Sequence, residues 1–294
     1  MRLISSFLVF LLCASAKIAG AAGDDGNGNA SRHDAAGLRA QYAALSSQLR
    51  NNQFQRPLML QSSESSGKLQ GDIYAVLDHP FATVNGAFNG PAHWCDMLIL
   101  HLNTKYCHAA SVNGRDQLQV AIGKKTDEPL SGAYRVNFNF AVAAATPDYL
   151  DVALNARDGP MGTSDYRINL EAVALPNGHT FLHLTYSYAY GVAARIAMRA
   201  YLSTVGSGKV GFTKADGDYI GGVRGVVERN TMRYYLAIDA YLAAMNAPPS
   251  QQLERRLDTW FAATERYSRQ LHEVSRSEYV DMKRSEYKRQ QTAQ

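Results

Sequence analysis

The sequence predicts an α+β chain in which a curved antiparallel sheet closes around one long helix. Three observations predict it. Between Gln117 and Tyr190 the chain alternates apolar and polar residues in successive short runs joined by turns. The stretch DYIGGVRGVVERNTMRYYLAIDAYLAAM, Asp218 to Met245, then places Val223, Val227, Asn230, Tyr234, Ile238, Tyr241 and Met245 at steps of three and four. A helix of that length is about 42 Å long, enough to cross a small domain. Third, 46% of the 294 residues are hydrophobic, ample for one large core.

Taken in order, Arg2 followed by the apolar run Leu3 to Leu12 and the small residues Ala14-Ser15-Ala16 or Ala19-Gly20-Ala21 reads as a cleaved signal peptide over residues 1–22. The apolar run is shorter than the ~20 residues of a membrane span, which is why an uncleaved anchor is the weaker reading. Residues 23–33, rich in Gly, Asn and Asp, read as a disordered linker. Asp34 caps a helix to about Asn52. Leu58 to Leu60 is a first short strand, Ser62 to Gly67 a turn, and Lys68 to Leu77 a strand stopped by Asp78-His79-Pro80. Phe81 to Phe88 is a helical turn, and Pro91 opens a second helix, AHWCDMLILHL. A strand carrying Tyr106 and Cys107 follows.

Five alternating strands come next. They run over Gln117 to Lys124, Tyr134 to Val142, Tyr149 to Ala156, Tyr166 to Ala174 and Thr180 to Tyr190. Val136, Phe138 and Phe140 share one face with Tyr134. Tyr186, Tyr188 and Tyr190 share a face with Leu182 and Leu184, opposite His183, Thr185 and Ser187. That alternation places His183 on the exposed polar face. Val192 to Val205 is a helical insertion before the long helix, on which Arg233 reads as solvated. NAPPS, residues 246–250, breaks the chain. A last helix follows over Leu253 to Val274 and frays beyond Glu278.

A formal charge of +4 is too weak for a nucleic-acid surface. After the leader, Cys95 and Cys107 remain, and an exported chain with two cysteines is expected to join them. A cysteine nucleophile with His93, His101 or His108 as base is the competing reading. Two cysteines and scattered histidines do not make a zinc site, so no metal is expected. No G-x-S-x-G or H-E-x-x-H occurs, and Gly206-Ser207-Gly208-Lys209 lacks the spacing and hydroxyl residue of a phosphate loop. No catalytic residue is assigned: Asp96, Glu171 and His101 could serve acid–base chemistry, but nothing in the sequence sets them apart.

GDIYAVLDHPFATV, then PAHWCDMLILHL, a strand meander and a long closing helix resemble the START-like, or SRPBCC, helix-grip superfamily. In that family a strand runs into a Pro-Phe turn, as Leu77 to Phe81 does, and Trp94 stands near the start of the second short helix. The resemblance covers roughly residues 56 to 246. The insertion at Val192 to Val205 departs from it, as do the first and last helices. It implies a START-like domain over 34–246 with a helical extension over 247–294. It also implies a cavity between sheet and long helix for a lipid, sterol-like or polyketide-like molecule. The residues expected to line that cavity are Trp94, Tyr134, Phe138, Phe140, Tyr166, Tyr186, Tyr188, Asn230, Tyr234 and Tyr241. A buried Asn230 left unpaired would cost ~1–3 kcal/mol, so it is expected to have a partner. The sequence thus favours a periplasmic or secreted binder of an apolar small molecule. No cofactor or nucleic acid is expected; membrane contact would be transient, and no protein partner is indicated. A cavity enzyme of the cyclase or hydrolase type and a structural or interaction protein remain the alternatives.

Overall fold

Strand alternation leaves each sheet face with its own chemistry, and the topology decides what covers each face. A computed structural model describes residues 33–204, 206 and 208–292. Helix α1 (Ala35–Arg50) is capped by the Asp34 carboxylate, which accepts from the Gly37 amide at 2.7 Å. Strands β1 (Leu58–Ser65) and β2 (Lys68–Leu77) form a hairpin through Ser66 and Gly67, both with positive φ. Helices α2 (Phe81–Phe88) and α3 (Ala92–Leu98) follow. The meander is β3 (Thr104–Val112), β4 (Arg115–Ile122), β5 (Tyr134–Ala145), β6 (Tyr149–Asp158), β7 (Thr163–Ala174) and β8 (Thr180–Tyr190). After α4 (Val192–Ser203) come the two-residue strands β9 (Lys214–Ala215) and β10 (Asp218–Tyr219) and the long helix α5 (Gly222–Ala244). The chain ends in α6 (Pro249–Glu265), α7 (Ser268–Leu271) and α8 (Arg276–Gln291).

The eight long strands form one antiparallel sheet in the order β1-β2-β8-β7-β6-β5-β4-β3. Strand β2, which carries GDIYAVL, pairs with the last strand of the meander, and α5 lies across the face they share. This is the helix grip, with β1 added at one edge. Contact with β2 is closest at Gly71, where a β-carbon would stand 2.3 Å from Thr231 Oγ1 on α5. The inner face holds the main core: Leu150, Val152, Leu154, Ile168, Leu170, Leu182 and Leu184 against Val227, Leu236, Ile238 and Tyr241. The outer face is not left to water. Helix α1 covers part of it, and Leu38 and Leu49 pack with Tyr74, Tyr149, Val173 and Phe181.

Four expectations are corrected. Strand β1 runs on to Ser65, through residues expected to turn. The long helix begins at Gly222 rather than Asp218, because Asp216 and Gly217 adopt positive φ and fold the preceding residues into a hairpin. The last helix is three helices, and α8 does not fray. Tyr279 donates to the Leu100 carbonyl at 3.0 Å. Lys283, fully buried, donates to the carbonyls of His101 and Thr104 and pairs with Glu286 at 2.7 Å. Glu286 also takes the buried Lys105 at 3.0 Å. Arg233, expected in solvent, is 1% exposed and bonded to Glu273 at 2.8 Å.

Cys95 on α3 and Cys107 on β3 form a disulfide, as expected, tying the short helix to the sheet. The expected leader, residues 1–22, and the expected linker, residues 23–33, lie outside the described residues except for His33. Among those described, no helix is long and apolar enough to cross a membrane.

Candidate functional site

The inward residues of β7 and β8 meet α5 in a cluster of tyrosines. Tyr166 stacks on Tyr188 with centroids 5.2 Å apart, Tyr186 lies 5.6 Å from Tyr188, and Tyr234 of α5 lies 5.1 Å from Tyr186. Phe138 meets Tyr166 edge-on at 6.4 Å. All five rings are buried. Burial raises the hydroxyl pKa of Tyr166, Tyr186, Tyr188 and Tyr234, so each phenol stays neutral. The hydroxyls find partners in the fold: Tyr166 with Thr163 at 2.9 Å, and Tyr186 with the side chain of Asn230. The half-buried Asn230 therefore has the partner its position demanded. Apolar walls with a few fixed polar tips are the chemistry of a small-molecule site.

The other expected residues lie elsewhere. Trp94, Phe140 and Tyr241 form a second aromatic group with Phe88, and the Trp94 indole donates to the Phe88 carbonyl at 3.0 Å. Tyr134 is 52% exposed, because the start of β5 runs past the edge of the core. The rings between sheet and helix pack on one another where the sequence reading expects an open cavity. An open surface cleft of about 510 Å3 is walled by Glu64 and Gly67 of the β1–β2 hairpin, Tyr190, Arg195 and Val223. Tyr190 and Val223 also pack against the main core, so the inner wall of this cleft is continuous with the aromatic interior. Arg195 lies over the Tyr190 ring at 5.7 Å, and the Tyr190 hydroxyl bonds Glu64.

The acid–base candidates do not converge. Asp96 pairs with Arg256 at 2.9 Å. His101 is buried and stacked on Tyr234 at 4.6 Å. Its Nδ1 accepts the Asn103 amide at 3.1 Å, while Nε2 has no partner. Burial, then the nearby Arg233, Lys283, Lys125 and Lys105, hold this imidazole neutral. Glu171 points the other way, to the outer face.

There the structure holds a polar network that sequence reasoning missed. His183, expected in solvent, is half-buried and stacked on Tyr74 at 4.2 Å. Its Nε2 meets Asp72 at 3.0 Å and its Nδ1 meets Glu171 at 3.3 Å. Thr185 and Gln70 donate to Asp72, and Tyr149 donates to Glu171 at 2.7 Å. Burial opposes the charge on Asp72 and Glu171, but the bonds they accept outweigh it, and both carboxyls titrate below their usual range. Burial likewise opposes the His183 cation, and the two carboxylates outweigh it and raise its pKa. Alternation marks these residues only as one polar face; the register that aligns them is not written in any single strand.

No protein family and no curated protein matches the sequence. Solved structures similar to it include Ara h 8.0201, 12% identical over 60% of this chain and 99% of that one, at a TM-score of 0.37. The human StAR-related lipid transfer protein 5 is 9% identical over 57% of this chain and 89% of its own, at 0.32. Truncated norcoclaurine synthase from Thalictrum flavum is 10% identical over 49% and 92%, also at 0.32. Superpositions this loose carry nothing about what the chain binds, so its function must be read from its own residues.

Proposed function

We propose that the protein is an exported, START-like binding or transfer protein for an apolar small molecule of lipid, sterol or polyketide character. The observation that carries the reading is the run of neutral tyrosine rings from Tyr234 through Tyr186 and Tyr166 to Tyr188, continuous with the 510 Å3 cleft at Tyr190 and Val223. A ligand would seat its polar end against Arg195, Glu64 and the hairpin, and its apolar body against Tyr190 and Val223. Parting of the Tyr166–Tyr188 stack would admit it between sheet and helix. The disulfide supports an oxidising compartment, and with it the periplasm or the exterior as the place of action.

The test is mass spectrometry of organic extracts from protein exported by its own leader, in parallel with Val223→Trp, which fills the cleft. A reproducible apolar species in the parent, depleted in the variant, is the expected result. An empty extract together with no uptake of fluorescent fatty acid or sterol overturns the proposal.

A further inference from the structure

The strand register sets four residues in a row across the outer face: Tyr74 of β2 opposite His183 of β8, His183 opposite Glu171 of β7, and Glu171 opposite Asp151 of β6. The last pair places two carboxylates directly across from one another, an arrangement that destabilises a sheet unless a positive charge joins them. His183 supplies one such charge, but to Asp72 and Glu171, which it bridges. His33, the residue before the Asp34 cap of α1, reaches over this end of the row, its Nδ1 3.3 Å from Glu171 Oε2. Nitrogen and oxygen atoms of His33, Asp151 and Glu171 all lie within 4.8 Å of one another.

We propose that His33, Asp151 and Glu171 bind a divalent cation of the zinc class. Two donors bound ~2.1 Å from a tetrahedral ion stand about 3.4 Å apart, close to the separation His33 and Glu171 already have. One imidazole with two carboxylates is a ligand set that zinc and its neighbours accept, and three protein ligands at an accessible edge leave a fourth position for water. The surroundings would steady the ligands: Tyr149 donates to Glu171 Oε1, His183 Nδ1 lies 3.3 Å from Oε2, whose remaining lone pair faces His33, and the Asn169 amide, in the orientation that satisfies it, donates to Asp151. Binding would fasten the chain ahead of α1 to the centre of the sheet. It is independent of any ligand on the inner face.

The experiment uses the full exported chain, stripped with chelator and titrated calorimetrically with zinc chloride. One ion per chain is expected. Asp151→Asn and His33→Ala should each weaken it at least about tenfold, the scale on which even outer-shell contacts act. Both positions are only partly buried or exposed, and circular dichroism with an intact disulfide confirms that the variants fold. Failure of the parent to bind, equal binding by both variants, or equal binding of magnesium at the same concentration each overturns the proposal.

Discussion

Gly71 sets how near the long helix lies to the sheet, and Gly71→Ala tests that. A β-carbon there would stand 2.3 Å from Thr231 Oγ1 and 3.2 Å from Thr231 Cβ, well inside contact distance. Two reliefs are open. The helix can move outward, which loosens its packing at a typical overpacking cost of ~1–3 kcal/mol. Alternatively Thr231 can turn, breaking its 2.7 Å bond to the Val227 carbonyl and leaving a buried hydroxyl unpaired, again ~1–3 kcal/mol. Alanine recovers ~0.5–1 kcal/mol by restricting the unfolded chain. The net loss is about 1–2 kcal/mol, and at this chain length roughly 2–4 °C of Tm per kcal/mol. The assay is thermal and urea unfolding of Gly71→Ala, Thr231→Ala and the pair. Because Thr231→Ala removes the clashing atom, the double variant should lose less than the two singles summed, with a coupling of ~0.5–3 kcal/mol. Unchanged stability in Gly71→Ala, or strict additivity in the pair, would refute the argument.

Two further outcomes concern the C-terminal helices. Glu273 is held by Arg233, Lys125 and Lys209; burial opposes its charge, but these cations outweigh it and bring its pKa to about 2, against an ordinary 4.5. A depressed carboxylate pKa means that the unfolded chain binds the proton first. Its contribution is therefore complete above pH 4.5 and lost as pH falls toward 2. Urea midpoints measured across that window should fall less steeply in Glu273→Gln than in the parent, and parallel curves would contradict the sign. Glu286→Ala strands the fully buried Lys105 and Lys283, and should cost ~3–5 kcal/mol in urea unfolding. A loss below ~1 kcal/mol, the scale of an exposed pair, would mean that the lysines reach water.

The strands were legible because a half-buried strand alternates, and Tyr134 to Val142 and Thr180 to Tyr190 do so plainly. The cysteine pair was legible from compartment and count. What alternation could not supply was the covering of the second face. Polar neighbours predict His183 in solvent, yet Asp72, Glu171 and the Tyr74 ring surround it on a face that α1, more than a hundred residues earlier in the chain, partly covers. Helix α8 was read as fraying because its buried side includes Lys283 and Glu286, and a periodicity sought in apolar residues passes over an ion pair. Arg233 was missed for the same reason. The aromatic lining was only partly legible: parity brought Tyr166, Tyr186 and Tyr188 together, but it does not say where along β5 the core ends, and so it placed Tyr134 with them.

The two faces of β8 are not independent. Tyr186 and Tyr188 point to the helix, while His183, Thr185 and Ser187 between and beside them point outward. A one-residue slip of β8 would turn His183 toward the apolar core and bring a leucine opposite Glu171 and a leucine or tyrosine opposite Asp72. Apolar packing already resists such a slip, because it would turn Leu182, Leu184, Tyr186 and Tyr188 out of the core. The charged row makes it expensive, because a slipped strand buries His183 without its carboxylates and leaves Asp72 and Glu171 facing each other's charge. The outer network thus reinforces the register on which the inner tyrosine cluster depends.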